Sequence, residues 1–164
     1  MTRTAEPVVE PANPADFDRI RELTVGVYRD EELSSAEYLT QLADVEGRAG
    51  RSHLLVARLD ARVVGSVALV LDGDFGEITA GPSEAVFRML VVDPAARGAG
   101  IGEALVRTCL DRARAAGKAS MVLSTDPRMS AAHRLYDRLG FRRLPERDWS
   151  PVPGVDLRVY ALEL

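Results

Sequence analysis

The chain has 164 residues, a formal net charge of −4 and 46 % apolar content, which suits one globular domain with a sizeable core and argues against a nucleic-acid partner, since gripping phosphates takes a basic surplus. Its one cysteine, Cys109, rules out an intrachain disulfide or a cysteine zinc cluster, and two isolated histidines, His53 and His133, give no metal-ligand spacing. No apolar run reaches the roughly 20 residues of a membrane helix and the N-terminal stretch has no apolar export core, so the expectation is a cytoplasmic protein with no membrane contact.

In chain order, residues 7–10 read as a first strand. Asn13-Pro14 supplies an N-cap followed by proline at the first helical position. The helix it opens runs to about Tyr28, with Phe17, Ile20, Leu23, Thr24 and Val27 on its apolar face. Ser34-Ser35 caps a second helix carrying Tyr38, Leu39, Leu42 and Val45, which ends within residues 47–50. Residues 53–59 and 62–71 form a hairpin around Asp60-Ala61, and residues 72–83 are a loop by composition. Residues 86–92 are apolar except for Arg88, the pattern of a strand buried on both faces. Asp93-Pro94 stops that strand, because proline has no N–H for a ladder.

A helix follows from about Gly98 to Ala116, ended by Gly117. Residues 121–124 form a strand, and residues 129–139 a helix closed by Gly140. Residues 141–144 and 156–164 are the last strands, separated by the proline-rich segment 145–154. There is no internal repeat or linker, so one domain over residues 1–164 is expected.

The segment Arg97-Gly98-Ala99-Gly100-Ile101-Gly102 lies between the buried strand and the long helix. The first N–H groups of a helix have no internal acceptor, and the macrodipole adds partial positive charge there. Glycines at alternate positions remove the Cβ atoms that would hold a phosphate away from those amides. Arg97 adds a cation. The spacing G-x-G-x-G is neither that of a dinucleotide fold nor that of a nucleotide P-loop.

Leu90-x-Val92-x-Pro94, followed after two residues by Arg97-x-x-Gly100-x-Gly102, resembles the pyrophosphate-binding motif of the GNAT superfamily of acyl-CoA-dependent N-acyltransferases. Ala132-x-x-Leu135-Tyr136-x-x-x-Gly140-Phe141 is similar to that family's closing motif. The resemblance implies an α/β fold with a mixed, mostly antiparallel sheet flanked by helices, and acetyl-CoA as cofactor. Carried over residue by residue, it assigns the cofactor's pyrophosphate to Arg97, Gly98, Ala99, Gly100, Ile101 and Gly102. Its pantetheine arm goes to Leu90, Val91 and Val92, with Ala132 and Tyr136 on the far wall. An N–H near Val91 or Val92 would polarise the thioester carbonyl, and Tyr136 would protonate the departing thiolate.

The pattern departs from the family at two positions. Met129 stands where many members carry asparagine, leaving Ser124, Ser130 or a main-chain group to meet the pantetheine arm. Val86 stands where some members carry a glutamate base. Glu84, two residues earlier, is the nearest carboxylate and is the expected base, with Arg88 as a charge partner for Glu84 or for the substrate.

The function implied is acetylation of a small-molecule or peptide amine. The rivals are a CoA-binding sensor or scaffold without transfer activity, and a dinucleotide-dependent redox enzyme. Asp30, Glu31 and Glu32, and Asp72, Asp74 and Glu77, would suit a cationic acceptor but read as solvated clusters. Trp149, flanked by prolines, fits either the wall of an acceptor pocket or a homodimer contact.

Overall fold

In the computed structural model, residues 6–30, 36–72 and 81–164 are described. The strands are β1 (Val8–Pro11), β2 (His53–Leu59), β3 (Arg62–Val70), β4 (Glu84–Val92), β5 (Ser120–Thr125), β6 (Arg142–Arg143), β7 (Trp149–Val152) and β8 (Val155–Glu163). The helices are α1 (Phe17–Asp30), α2 (Ala36–Ala43), α3 (Val45–Arg51), α4 (Ile101–Ala115) and α5 (Ser130–Leu139). The sheet runs β1-β2-β3-β4-β5-β8-β6, with β7 on β8. Every pairing is antiparallel except β4 with β5, so the sheet is mixed and mostly antiparallel, as expected.

Strand β4 is central and buried on both faces. Phe87 packs with Leu105, Cys109 and Tyr136 on the α4–α5 side. Val86 packs with Ile20, Leu23 and Val27 on the α1 side. The predicted apolar face of α1 is the one that is buried. Helix α4 approaches β3 closely at Gly65, where a Cβ would meet Ile101 Cγ2 at 2.8 Å and the Val91 carbonyl oxygen at 3.0 Å. That contact brings the start of α4 over the end of β4.

Two expectations needed correction. The second helix is broken in two, because the Asp44 side chain accepts from the Gly47 N–H and caps α3. Only glycine allows this at position 47, since a Cβ there would lie 2.2 Å from Asp44 Oδ2. The segment read as a proline-rich spacer contains β7, an edge strand paired with β8 through Trp149↔Leu157 and Val152↔Val155. Pro151 is tolerated at such an edge, where no ladder donor is missed. Ser34 and Ser35, read as a cap, lie outside the described residues. Among the described residues no helix is long and apolar enough to cross a membrane.

Candidate functional site

The site begins with a defect in the sheet. Parallel pairing of β4 with β5 runs from Glu84↔Ser120 to Phe87↔Leu123 and stops there. β4 keeps β3 as its partner on the other side through Ser66↔Val91 and Gly65↔Val92. The register of β3 with β4 shifts between Ser66 and Ala68, opposite Met89, whose φ is +57°. A left-handed methionine is a β-bulge residue held under strain. It turns the end of β4 away from β5 and opens a gap. The Asp93 N–H donates to the Val64 carbonyl at 2.8 Å. Alternation along the strand then turns the Val91 N–H toward β3 and the Val92 N–H toward the gap. Of the two donors expected at the thioester, Val92 is the one that faces it.

Beyond β4 the chain is pinned before it turns. The Asp93 carboxylate accepts from the Ala95 N–H at 3.0 Å and from Arg19 Nη2 at 2.8 Å. Gly98 and Gly100 follow with φ of +87° and +76°, and an added Cβ at either would meet nothing within 4 Å. These are cradle positions: the backbone needs glycine, and the space beside it is open to a ligand. Ile101 then starts α4, so the unpaired amides of its first turn face the same opening.

Gap, turn and helix start border one cleft of about 1030 Å³. Its walls include Leu90, Val91, Val92, Arg97, Gly98, Gly100, Ile101, Gly102 and Ala132, all expected from the sequence. Ala99 lies within the turn but not on the wall. Met129 and Ser130 line the cleft, so of the two serines considered for the missing asparagine, Ser130 is the one in place.

Sequence reasoning overlooked the charge of this cleft. Arg128, Arg134 and Arg138 line it together with Arg97, against one carboxylate, Glu103. Glu103 lies within 3.7 Å of Arg138 and 3.4 Å of Arg107. The available signal was the i, i+4 spacing of Arg134 and Arg138 on one stripe of α5. Asp126, nearly fully buried, was overlooked as well. Its carboxylate accepts from the Arg128 N–H at 2.9 Å, Nε at 3.0 Å and Nη2 at 2.9 Å. His133 Nε2 donates to its carbonyl at 3.0 Å, tying the start of α5 to the end of β5.

Of the two residues expected to act on protons, Tyr136 is buried and Glu84 is engaged in an ion pair. Tyr136 is 3 % exposed and directly follows Leu135 of the cleft wall, its ring 6.0 Å from Phe87 and 5.7 Å from Phe141. Burial raises its phenol pKa above the ordinary 10.0. Glu84 stands at the closed end of β4, six residues or about 20 Å along the strand from Leu90. Both of its carboxylate oxygens accept from Arg147, at 2.9 Å each. The expected base is therefore committed to an ion pair, and the arginine that holds it is Arg147.

Arg88 instead lies on the α1 side of β4, 5 % exposed, with its guanidinium carbon 4.8 Å from the Trp149 ring centroid. Glu31, Glu32, Asp74 and Glu77 lie outside the described residues.

The acetyltransferase (GNAT) family model matches residues 17–141. The N-acetylaspartate synthetase of Danio rerio is 34 % identical over 119 residues, covering 71 % of this chain and 40 % of that protein. The glucosamine 6-phosphate N-acetyltransferase of Trypanosoma brucei brucei is 32 % identical over 111 residues, covering 67 % and 71 %. The chain thus spans about two fifths of the synthetase it matches. The PaiA N-acetyltransferase of Thermoplasma acidophilum, solved in complex with coenzyme A, superposes with a TM-score of 0.75 at 15 % identity, covering 97 % of this chain and 99 % of that one.

Proposed function

The chain belongs to the acetyltransferase (GNAT) family, and from that premise we propose that it transfers an acetyl group from acetyl-CoA to a primary amine by direct attack within a ternary complex. One observation carries the reading: β4 loses its β5 partner at the place where α4 turns unpaired amides and two positive-φ glycines onto the same cleft. The names of the relatives from Danio rerio and Trypanosoma brucei brucei, an N-acetylaspartate synthetase and an N-acetyltransferase, support amine acetylation. The open cradle and the arginine-lined walls fit a ligand bearing a diphosphate.

Bound acetyl-CoA would supply an activated thioester. The main-chain donors of residues 98–102 hold a diphosphate without side-chain interference, and Arg97, Arg134 and Arg138 add charge-assisted contacts. The free edge of residues 90–92 offers an amide-bearing arm the pairing that β5 no longer supplies. The Val92 N–H, fixed in the sheet before any ligand arrives, is a preorganised donor for a carbonyl oxygen that gains negative charge. Tyr136, kept protonated by burial, is the hydroxyl that donates toward a departing thiolate. The amine attacks as the neutral base. With Glu84 held by Arg147, its proton leaves through water at the open end of the cleft.

Thiol release from acetyl-CoA across a panel of primary amines tests the proposal. Turnover with at least one class of amine is the expected result. Tight acetyl-CoA binding with no thiol release across the panel would overturn it in favour of a sensor or scaffold. Stabilisation by NAD instead of acetyl-CoA in a thermal-shift comparison would favour the redox rival.

A further inference from the structure

The turn that carries the glycine cradle is held unevenly. Asp93 fixes its start: the Asp93 N–H donates to the Val64 carbonyl at 2.8 Å, and the Asp93 carbonyl accepts from the Ala96 N–H at 2.8 Å. Further on the bonds lengthen to 3.4 Å, from the Arg97 N–H to the Pro94 carbonyl and from the Ala99 N–H to the Ala96 carbonyl. β5 cannot steady this stretch, because its pairing with β4 has ended at Phe87. The course of residues 97–100 is therefore set by Asp93 at one end and by the start of α4 at the other. Asp93 is in turn held from the opposite face of the sheet, by Arg19 in the first turn of α1. The Arg19 guanidinium meets three acceptors: Nε donates to the Val63 carbonyl at 3.2 Å, Nη1 to Glu22 at 2.9 Å and Nη2 to Asp93 Oδ2 at 2.8 Å. The pair with Asp93 is largely covered, its side chains 23 % and 12 % exposed, whereas Arg62, 3.6 Å from the same oxygen, is 68 % exposed. Neither Arg19 nor Asp93 belongs to the walls of the cleft.

We propose that Arg19 is a positioning residue for the cofactor: acting through Asp93, it keeps the turn in the shape that presents the amides of residues 98–102 before a diphosphate arrives. The inference rests on the acetyl-CoA reading and adds to it a residue outside the cleft. The two oxygens of Asp93 have separate tasks, Oδ1 on the Ala95 N–H and Oδ2 on Arg19. The cation fixes the carboxylate orientation in which Oδ1 reaches Ala95. Without it the carboxylate is free to turn to water or to Arg62, and the start of the turn loosens. A turn built on two glycines has little stiffness of its own, so its order has to come from its anchors. Donors ordered in the free protein bind more tightly than donors that must be ordered on binding.

The test is calorimetric binding of CoA to the full chain and to Arg19→Met, which keeps the aliphatic stem and removes the guanidinium, with thiol release from acetyl-CoA measured on both. The dissociation constant for CoA and the KM for acetyl-CoA should each rise about tenfold, the size of one lost charge-assisted hydrogen bond, while kcat changes by less than about twofold. Arg19→Lys, which keeps the charge and serves should Arg19→Met fail to fold, should show a smaller loss of the same kind. Arg62→Ala should leave CoA binding unchanged. Asp93→Asn keeps an oxygen for Ala95 and removes the charge that Arg19 meets, so its combination with Arg19→Met should bind CoA no more weakly than the weaker single variant. A lowered melting temperature in the Arg19 variants with CoA binding and KM unchanged would make the pair merely structural and overturn the inference, as would additive losses in the double variant. CoA binding that weakens in Arg19→Met, in a protein that releases no thiol with any amine, would sustain the inference while overturning the acetyl-transfer reading.

Discussion

Gly100 and Met89 share a left-handed backbone for opposite reasons. At Gly100 the conformation is free, and what glycine provides is empty space beside the first amides of α4. At Met89 it is strained, and the strain bends β4 off β5. Gly100→Ala should cost about 1–2 kcal/mol of stability from the left-handed penalty. It should also raise the KM for acetyl-CoA by about tenfold or more, because the methyl group enters the cradle. Steady-state kinetics and denaturant melts check the two parts separately. Tyr136 poses a sharper question. If its hydroxyl protonates the leaving thiolate, Tyr136→Phe should lower kcat by about a hundredfold, with far less change in the KM for acetyl-CoA. Since burial lifts its pKa above 10.0, the phenol stays protonated through pH 10. The kcat profile should then show no falling limb below that pH assignable to Tyr136.

Among the elements, the β2–β3 hairpin shows how far sequence signals reach. Its two-residue turn was legible from Asp60-Ala61 between two apolar runs, and both residues have positive φ, +49° and +68°. The turn is of the primed kind that matches strand twist, for which glycine is the favoured second residue. Ala61→Gly should therefore stabilise the protein by about 0.5–1 kcal/mol, the left-handed penalty relieved less the added freedom of the unfolded chain. A chemical melt measures it. The glycine cradle was legible for the same kind of reason: local backbone chemistry fixes it within six residues.

What was not legible depends on distance along the chain. Glu84 meets Arg147 across 63 residues, and no spacing rule links them. β7 was hidden because proline counts against a strand, unless the strand is known to be an edge. The arginines of α5 were passed over because a polar helix face ordinarily means solvent. The Glu84–Arg147 pair joins β4 to the segment that leads into β7, with both side chains largely covered. Glu84→Gln should lower the melting temperature, because Arg147 is left partly buried without its counter-charge. The pH–rate profile should keep its shape. Loss of an acidic limb from that profile would restore Glu84 as the base.

Across the whole molecule, pH stability is set by two groups of side chains with opposite signs. Asp16 is held below the ordinary carboxyl pKa of 3.8 chiefly by its hydrogen bonds from Arg58. Asp148 is held below it chiefly by those from Arg143. A lowered pKa in the folded state gives stability that is present above 3.8 and lost as the pH falls through the folded values. On the alkaline side burial is the main cause. It pushes the Cys109 thiol from 9.0 up to about 12 and the phenols of Tyr28 and Tyr136 above 10.0. A raised pKa gives stability that is complete below the unfolded value and lost as the pH climbs toward the folded one. The melting temperature should thus be flat from about pH 5 to 9 and fall steeply above it, the thiol acting first and the phenols from pH 10. Cys109→Ala separates these contributions. It opens a small cavity against Phe87 and Leu105 and lowers the plateau modestly. It also delays the alkaline fall from pH 9 to about 10, since only the phenols then remain to be deprotonated on unfolding. An unshifted alkaline onset in that variant would mean that the thiol ionises as easily inside the fold as outside it, and that the core around α4 admits water.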